Sequence, residues 1–197
     1  MEAADLHPDP LVQFRRWQEE AAAAGLGLPD AMTLATAGAD GRPSARTLLL
    51  KGVDERGFLF FSNYESRKGH ELAANPHAAL VVHWAQEPRR QVTAAGDVER
   101  LPTAESEAYF RTRPLGSRLG AWASRQSEPI PDRAVLERAY AEAEARYGGD
   151  PPLPPWWGGY VLRPERVEFW QNRPNRLHDR FRYTRAEAGW LLERLAP

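Results

Sequence analysis

Residues 31–62, AMTLATAGADGRPSARTLLLKGVDERGFLFFS, hold two successive β-hairpins and so decide the fold class. Two strand-forming segments, residues 31–37 and 44–51, flank the turn-forming letters GADGRP, which is the pattern of a β-hairpin. The chain turns again at DERG and enters residues 58–62, FLFFS, which are too apolar for either face of a strand to meet water. We therefore expect residues 58–62 to lie in the interior of a barrel.

The segments on either side of this stretch extend the β pattern. Two further strand-forming segments bring the first hundred residues to about five strands, which is typical of a barrel or a sandwich; they are residues 77–84 and 89–100. Four more strands are predicted near the C-terminus, at residues 160–163, 166–171, 176–183 and 190–194. Helices are predicted between the strands, at residues 9–25, at 66–74, from 103 onward and at 132–147. The fold class that follows is mainly β with flanking helices (α+β).

The length and composition of the chain limit how many domains it can form and which classes of function it can have. A chain of 197 residues with 42% hydrophobic content can form one well-cored domain, and we expect a single domain over residues 1–197 in which residues 1–8 form a disordered tail. Basic and acidic residues number 26 and 27, so the net charge of -1 argues against a general nucleic-acid binder. The absence of cysteine excludes disulfides, and five scattered histidines argue against a metal site.

The sequence carries no signal for membrane attachment or export. No apolar run reaches membrane-spanning length, and the N-terminus has no basic segment followed by an apolar core. We expect a cytoplasmic, soluble protein that binds neither membrane nor nucleic acid. The familiar catalytic motifs are also missing, among them the nucleophile elbow, the P-loop, HExxH and GxGxxG.

The segment at residues 176–181, RLHDRF, carries the most distinctive charge pattern. If it is a β-strand, Arg176, His178 and Arg180 share one face, because side chains alternate along a strand. Two guanidiniums beside an imidazole suit a phosphate or carboxylate ligand. The alternative is an exposed strand edge whose charges only guard against aggregation.

A second candidate anion site lies at the start of a short helix. Ser66 is the expected N-cap, so Arg67 and Lys68 would lie at the helix end whose free N–H groups and positive dipole attract anions. The alternative is an ordinary helix with two solvated cations.

A third candidate site combines a phenol, a guanidinium and a hydroxyl. Tyr109, Arg113 and Ser117 recur at four-residue spacing on a predicted helix, although Pro114 could kink or divide that helix. With the site at Arg67, this makes two clusters suited to phosphate. Together they predict two phosphorylated ligands side by side, and a flavin mononucleotide (FMN) with a phosphorylated substrate would satisfy both clusters.

These motifs, in this order, resemble the pyridoxamine 5'-phosphate oxidase family. The resemblance runs from about residue 9 to residue 197 and is carried by RTLLLK (46–51), SRK (66–68), RQV (90–92), YFRTRP (109–114), SRQS (124–127), WWGG (156–159), EFWQ (168–171), RLHDRF (176–181) and RLAP (194–197). It implies a six-stranded antiparallel split β-barrel of the FMN-binding type. It also implies a homodimer with both FMN sites at the subunit interface.

The resemblance assigns site residues as well. FMN would be held by Arg46, Lys51, Phe61, Ser62, Arg67, Lys68, Gln91, Gln126, Ser127, Trp170 and Arg180. The substrate phosphate would contact Lys51, Tyr109, Arg113 and Ser117. Arg176 and His178 would lie against the substrate's pyridine ring and the C4' group that is oxidised, which makes them the expected catalytic residues. No metal is implied.

The activity implied by the resemblance is oxidation of a phosphorylated B6 vitamer. Pyridoxamine 5'-phosphate, pyridoxine 5'-phosphate or both would give pyridoxal 5'-phosphate, with O2 as the acceptor that yields H2O2. One alternative is an FMN oxidase of the same fold acting on another substrate, such as a phenazine-biosynthesis relative, but such a substrate would not need the Tyr109, Arg113 and Ser117 cluster. The other is a non-catalytic flavin-binding module, which would leave Arg176 and His178 without a task.

Two details depart from a simple assignment. Arg46 and Lys51 have opposite parity in a regular strand, so a bulge, a strand end or a dimer interface must bring them together, and we take this as a second reason to expect a dimer. Before Asp9 the chain lacks most of a longer segment that helps to cover the active site in many family members. We expect this difference to affect substrate enclosure rather than the chemistry.

Overall fold

A computed structural model describes all residues, 1–197, as a curled antiparallel sheet with helices packed around it. The strands are β1 (Ala31–Ala37), β2 (Pro43–Leu49), β3 (Gly52–Asp54), β4 (Gly57–Asn63), β5 (His77–Trp84), β6 (Arg90–Arg100), β7 (Trp157–Gln171), β8 (Asp179–Ala186) and β9 (Gly189–Arg194). The helices are α1 (Pro10–Ala23), α2 (Arg67–Ala74), α3 (Thr103–Thr112), α4 (Leu115–Ala123) and α5 (Arg133–Tyr147). The predicted class, mainly β with flanking helices, is confirmed.

The sheet closes back towards itself because of its strand order, β2-β1-β5-β6-β7-β4-β3. Its two end strands, β2 and β3, are separated in the chain only by Leu50 and Lys51, so the two ends of the sheet lie near each other. The prediction of six strands is wrong, since the short strand β3 and the C-terminal hairpin β8–β9 join the same sheet and bring the number to nine. The split-barrel type stands, and because one sheet holds every strand we propose that residues 1–197 form one domain.

Strand β7 replaces two predicted strands. Residues 160–163 and 166–171 belong to one continuous strand that pairs with β4 through its first half and with β8 through its second. The pairing of β6 with β7 shifts register between Ala95 and Gly96, which accommodates Pro164 inside the strand. A Cβ atom on Gly96 would lie 2.0 Å from the carbonyl oxygen of Arg163, so this close approach requires glycine.

The core lies between the inner face of the sheet and helix α1. The predicted apolar stripe of α1 is buried, and the rings of Phe14 and Trp17 pack edge-on against Phe58 and Phe169 with ring centroids 5.0 Å apart in both pairs. The expectation that residues 58–62 are interior is confirmed for one face of β4, where Phe58 is fully buried. Phe61, on the other face, is half-buried.

Residues 1–8 do not form the disordered tail that we expected. Ala3–Asp5 form a 3-10 turn, Leu6 is buried in the core, and the backbone carbonyl of His7 accepts a hydrogen bond of 2.7 Å from the Tyr183 hydroxyl. Burial of Leu6 is the apolar contact that holds the segment against the sheet. None of the helices α1–α5 has the length and hydropathy that a membrane-spanning helix requires.

Candidate functional site

A cleft of about 770 Å³ lies beside strands β2 and β4 and helices α2 and α4. We call it the cleft. Many of the predicted cofactor and substrate residues line it, namely Arg46, Lys51, Phe61, Ser62, Arg67, Lys68, Tyr109, Arg113, Ser117, Gln126 and Ser127. The single chain therefore brings together both predicted phosphate clusters.

The end of strand β2 explains how Arg46 and Lys51 reach the same cleft. Strand β2 stops at Leu49, and the next two residues leave the regular alternation before β3 begins. The backbone N–H of Lys51 donates a 2.8 Å hydrogen bond to the carbonyl of Leu59, which fixes this turn beside β4. A single chain therefore brings Arg46 and Lys51 to the same cleft, although they would face opposite sides of a regular strand. Our argument for a dimer from their opposite parity was wrong.

The start of helix α2 supplies a buried cation to the cleft. Ser66 is the N-cap as predicted, since its hydroxyl accepts from the backbone N–H of Gly69. The ammonium group of Lys68 donates to the Oγ atoms of Ser62 at 2.9 Å and Ser66 at 3.2 Å, and to Gln126 Oε1 at 2.9 Å. Lys68 is only 8% exposed and bonds no carboxylate. Burial lowers its pKa to about 8, so its positive charge is held in a poorly solvated place.

A carboxylate lies behind the two arginines of the cleft wall. Arg67 Nε donates to Glu71 Oε1 at 2.9 Å, and Arg46 Nη2 donates to Glu71 Oε2 at 3.3 Å. Hydroxyls of Thr36 and Ser44 donate to the same carboxylate at 2.5 to 2.9 Å. Burial alone would raise the pKa of Glu71, but these hydrogen bonds outweigh it and lower the pKa to about 2.

The predicted substrate cluster assembles around a helix break. Pro114 divides the predicted helix, so Arg113 is the C-cap of α3 and Ser117 lies in the first turn of α4. The rings of Tyr109 and Phe61 stack with centroids 3.8 Å apart, which joins a predicted substrate residue to a predicted cofactor residue.

Arg113 has no carboxylate partner. Its guanidinium lies over the ring of Trp157 at 4.5 Å, and its Nη1 atom is buried without a hydrogen-bond partner. Burial lowers the pKa of Arg113, although an arginine still remains charged at neutral pH. A half-buried guanidinium whose buried nitrogen has no partner is suited to an incoming anion.

The other predicted site residues form a separate group, which we call the C-terminal patch. It consists of Gln91, Trp170, Arg176, His178 and Arg180, and none of these residues lines the cleft. Gln91 pairs with Trp170 across β6 and β7, and Trp170 pairs with Arg180 across β7 and β8. The His178 ring lies 4.6 Å from the Trp170 ring, measured between centroids.

The predicted strand at residues 176–183 begins later than expected. Pro174–Arg176 form a 3-10 turn in which Asn175 and Arg176 have φ angles of 59° and 61°, and β8 starts only at Asp179. Arg176 and His178 therefore do not share a strand face with Arg180. Proline and asparagine favour such a turn, and a positive φ at an arginine is uncommon and strained.

The three charged groups of the patch are held in different ways. Arg180 forms two hydrogen bonds with the carboxylate of Glu168, at 2.8 and 3.0 Å, so its charge is already balanced. Arg176 is exposed and forms no hydrogen bond or ion pair. His178 accepts a 3.1 Å hydrogen bond at Nδ1 from the backbone N–H of Arg173, so the neutral ring carries its proton on Nε2.

The cleft and the C-terminal patch lie along different parts of β7. Gly159 pairs with Phe61 beside the cleft, whereas Trp170 lies eleven residues farther along the strand. That span corresponds to about 36 Å of strand at 3.3 Å per residue. The two groups of predicted site residues therefore lie at opposite ends of β7, and no residue of the second group lines the cleft.

Some residues of the site were missed by sequence reasoning. Ser44, Asn63 and Ser124 line the cleft, and Trp157 is both buried and part of the lining. Ser44 could have been found, because it lies two residues before Arg46 on the same strand face. Glu71 had a signal too, since it follows Arg67 by four residues on a helix.

Comparisons with known proteins give consistent matches. A protein-family model described as pyridoxamine 5'-phosphate oxidase matches residues 18–147, and one described as the pyridoxine 5'-phosphate oxidase C-terminal dimerisation region matches residues 157–197. The second match supports a homodimer. A pyridoxine/pyridoxamine 5'-phosphate oxidase from Burkholderia vietnamiensis is 62% identical over 200 residues, covering 100% of this chain and 93% of the relative.

Two further matches extend this comparison. A pyridoxine/pyridoxamine 5'-phosphate oxidase from Ralstonia nicotianae is 60% identical over 198 residues, again covering 100% of this chain and 93% of the relative. Among solved structures, PhzG from Burkholderia lata in complex with tetrahydrophenazine-1-carboxylic acid has a TM-score of 0.93 at 34% identity. That match covers 98% of this chain and 95% of the PhzG chain, so the two share one fold.

Proposed function

Because this chain belongs to the pyridoxamine 5'-phosphate oxidase family, we propose that it oxidises pyridoxamine 5'-phosphate and pyridoxine 5'-phosphate to pyridoxal 5'-phosphate with FMN as cofactor. O2 is the final acceptor and is reduced to H2O2. For the amine substrate, water enters and ammonia leaves, so one O2 and one H2O are consumed for each aldehyde and H2O2 formed.

The observation that carries this proposal is that two cations of the cleft, the buried Lys68 and the half-buried Arg113, have no carboxylate partner. Lys68 bonds only neutral oxygens, and Arg113 keeps a buried nitrogen without any partner. A buried charge without a counter-charge is costly, and an anionic ligand relieves that cost. The cleft volume of about 770 Å³ lies within the range of roughly 300–1,000 Å³ typical of small-molecule sites. The residues therefore fit two phosphorylated ligands.

The two cations divide the cleft between two ligands. Arg67 and Lys68 at the start of α2, with Arg46, would hold the FMN phosphate, while Ser62 and Gln126 would contact the cofactor beside them. When bound, FMN supplies the two-electron acceptor that O2 restores. Lys51, Tyr109, Arg113 and Ser117 would hold the substrate phosphate. The stacked rings of Tyr109 and Phe61 would join the substrate-binding part of the cleft to its cofactor-binding part.

The C-terminal patch completes the site from a second chain. Neither Arg176 nor His178 lines the cleft of its own chain, and the two regions lie at opposite ends of β7. In a two-fold symmetric dimer each patch can face the other chain's cleft, which gives two equivalent sites. The match to a dimerisation region at residues 157–197 supports this arrangement, since those residues include four of the five patch residues.

Arg176 and His178 would orient the substrate at the reacting carbon. The Nε2–H of His178 is free to donate a hydrogen bond, because Nδ1 is occupied by the backbone of Arg173. Arg176 has all its donors free and is exposed, so it can bind a ligand carried by another chain. Positioning of this kind lowers the barrier by holding the reacting groups in a productive geometry.

The experiment that tests this function combines flavin content with product formation. The purified protein should carry a flavin absorbance and release H2O2 with pyridoxamine 5'-phosphate and with pyridoxine 5'-phosphate. Pyridoxamine without its phosphate is the control and should react far more slowly, because it cannot use Arg113. A protein that binds FMN yet releases no H2O2 would be a binding module, and a protein without FMN would refute the proposal.

A further inference from the structure

Glu71 lies behind the cleft wall and has no role in the site described so far. We propose that Glu71 is a positioning residue for the cofactor: it holds the Nε end of Arg67 so that the terminal nitrogens of that guanidinium face the FMN phosphate. The inference rests on the proposed function, because it takes FMN as the ligand at the start of α2.

The Glu71 carboxylate is held by the sheet rather than by its own helix. Thr36 on β1 donates to it at 2.5 Å, and Ser44 on β2 donates to its two oxygens at 2.9 and 2.6 Å. The side chain is only 11% exposed. These bonds fix the position of the carboxylate and keep it ionised. Glu71 is therefore a fixed hydrogen-bond acceptor for the exposed side chain of Arg67.

Arg67 uses this acceptor with one end of its guanidinium only. Its Nε atom donates to Glu71 at 2.9 Å, while its terminal nitrogens bond nothing, and the side chain is 64% exposed at the cleft wall. A guanidinium held at Nε keeps its other N–H donors in a fork that matches a phosphate. Ordering a long side chain before the ligand arrives reduces the entropy lost on binding.

Arg46 does not depend on Glu71 in the same way. Its Nη1 atom donates to the carbonyl of Leu34 at 3.2 Å and to Thr36 Oγ1 at 2.6 Å, and its Nη2 atom also bonds Ser44. These bonds remain if Glu71 is changed. The effect of Glu71 on the cofactor should therefore act through Arg67.

The alternative is an ordinary pair of opposite charges at i,i+4 on a helix. The Arg133–Glu137 pair in α5 is such a case, with an Nε to Oε1 distance of 2.8 Å and both side chains exposed. Glu137 accepts from no other side chain, whereas Glu71 accepts from three others. Glu137→Gln is therefore the matched control for Glu71→Gln.

The test is the FMN dissociation constant, measured on the purified holoprotein by dilution and ultrafiltration. A glutamine at position 71 keeps the size of the side chain but sets an NH2 group among the donors of Thr36, Ser44 and Arg46. We expect Glu71→Gln to weaken FMN binding about tenfold, and Glu137→Gln to leave it unchanged. In an Arg67→Ala background the same change should weaken binding by less than about twofold, because the residue it acts through is gone.

Two further measurements separate positioning from a general loss of structure. At saturating FMN, Glu71→Gln should keep the wild-type kcat, which shows that the folded variant keeps an intact site. Its unfolding temperature should lie below that of Glu137→Gln, because the donors of Thr36, Ser44 and Arg46 lose their acceptor. If Glu71→Gln does not fold, Glu71→Asp replaces it, since aspartate keeps the charge but is one methylene too short to reach Arg67.

Each outcome decides between the two proposals. Equal losses in the wild-type and Arg67→Ala backgrounds, or unchanged or tighter FMN binding in Glu71→Gln, would overturn the role of Glu71. If the unsubstituted protein and Glu137→Gln bind no FMN, the proposed function itself fails.

Discussion

The cleft and the C-terminal patch differ in how they hold their charged groups. In the cleft, Lys68 is buried and Arg113 is half-buried, and neither has a carboxylate partner. In the patch, Arg180 is paired with Glu168, and Arg176 stands exposed on a strained turn. Unpaired cations inside a cleft indicate a site that can bind an anion. Exposed, unpaired groups on a turn indicate a surface that can contact another protein chain.

We propose from this difference that one ligand site is divided between two copies of the chain. The residues of both regions were assigned to one cofactor and one substrate, yet only the cleft is assembled by a single chain. The predictions below test whether the cleft governs binding, whether the patch governs turnover, and whether the two regions meet across a dimer.

The largest effect is expected at the unpaired guanidinium of the cleft. Arg113→Ala should raise KM for pyridoxamine 5'-phosphate about 100-fold, because two charge-assisted hydrogen bonds to the phosphate contribute about 3 kcal/mol. The contact is remote from the reacting carbon and is similar in the ground and transition states, so kcat and FMN content should change little. Steady-state oxidation at fixed O2 measures both constants.

The control for this prediction lies on the same helix. Arg111→Ala removes a guanidinium of α3 that is exposed and paired with Glu107, so KM should remain at the wild-type value. Loss of FMN from Arg113→Ala would contradict the division of the cleft between cofactor and substrate.

The patch should show the opposite kinetic pattern. His178→Ala should lower kcat about 30-fold, which corresponds to about 2 kcal/mol, because the substrate loses a hydrogen-bond donor near the reacting carbon. FMN content should stay unchanged, since the cleft is intact. Wild-type kcat and KM in both His178→Ala and Arg176→Ala would show that the patch has no part in turnover.

Hybrid dimers test whether the two regions meet between chains. Arg113→Ala and His178→Ala chains carrying different tags can be co-expressed and the hybrid isolated through both tags. One of the two shared sites then combines an unchanged cleft with an unchanged patch, and the other site carries both changes. At low substrate concentration the hybrid should therefore have about half of the wild-type activity. That activity is roughly 15-fold above the activity of the His178→Ala dimer. A hybrid no more active than its two parents would place each site within one chain.

The parts that could be predicted from the sequence are those set by local patterns. Strand β1 and strand β5 have the predicted bounds, because apolar residues alternate along both and turn residues flank them. The cap at Ser66 follows from a three-residue motif, and it places Lys68 in the cleft. Tyr109, Arg113 and Ser117 meet despite the break at Pro114, because consecutive short helices keep them close.

The parts that could not be predicted depend on distant partners. Glu71 accepts hydrogen bonds from hydroxyls of β1 and β2, and the sequence around α2 does not predict which hydroxyls these are. The turn at Pro174–Arg176 broke the alternation on which the shared face of Arg176 and His178 was based. Which chain supplies the patch is a property of the assembly, and no pattern within one chain encodes it.

The smallest effect concerns the pH dependence of cofactor binding in the cleft. Burial lowers the pKa of Lys68 to about 8 in the protein without ligand, and Arg46 adds to the shift while Glu71 opposes it. A bound phosphate favours the ammonium form and raises that pKa. FMN affinity is therefore complete well below pH 8, is about halved at pH 8, and falls about fivefold more between pH 8 and pH 9 for one titrating group.

Replacing the lysine by arginine isolates this titration from the other charges around it. The groups that face Lys68 are Arg46 on β2 and Glu71 on α2, with neutral oxygens of Ser62, Ser66 and Gln126, and Arg67 precedes it in the chain. Both arginines stay charged, and Glu71, with a pKa of about 2, stays ionised throughout this range. The FMN phosphate, whose second pKa is about 6, is already a dianion at pH 8. Lys68→Arg should thus give an FMN dissociation constant that is flat from pH 7 to pH 9, whereas the same decline in both proteins would assign the titration to another group.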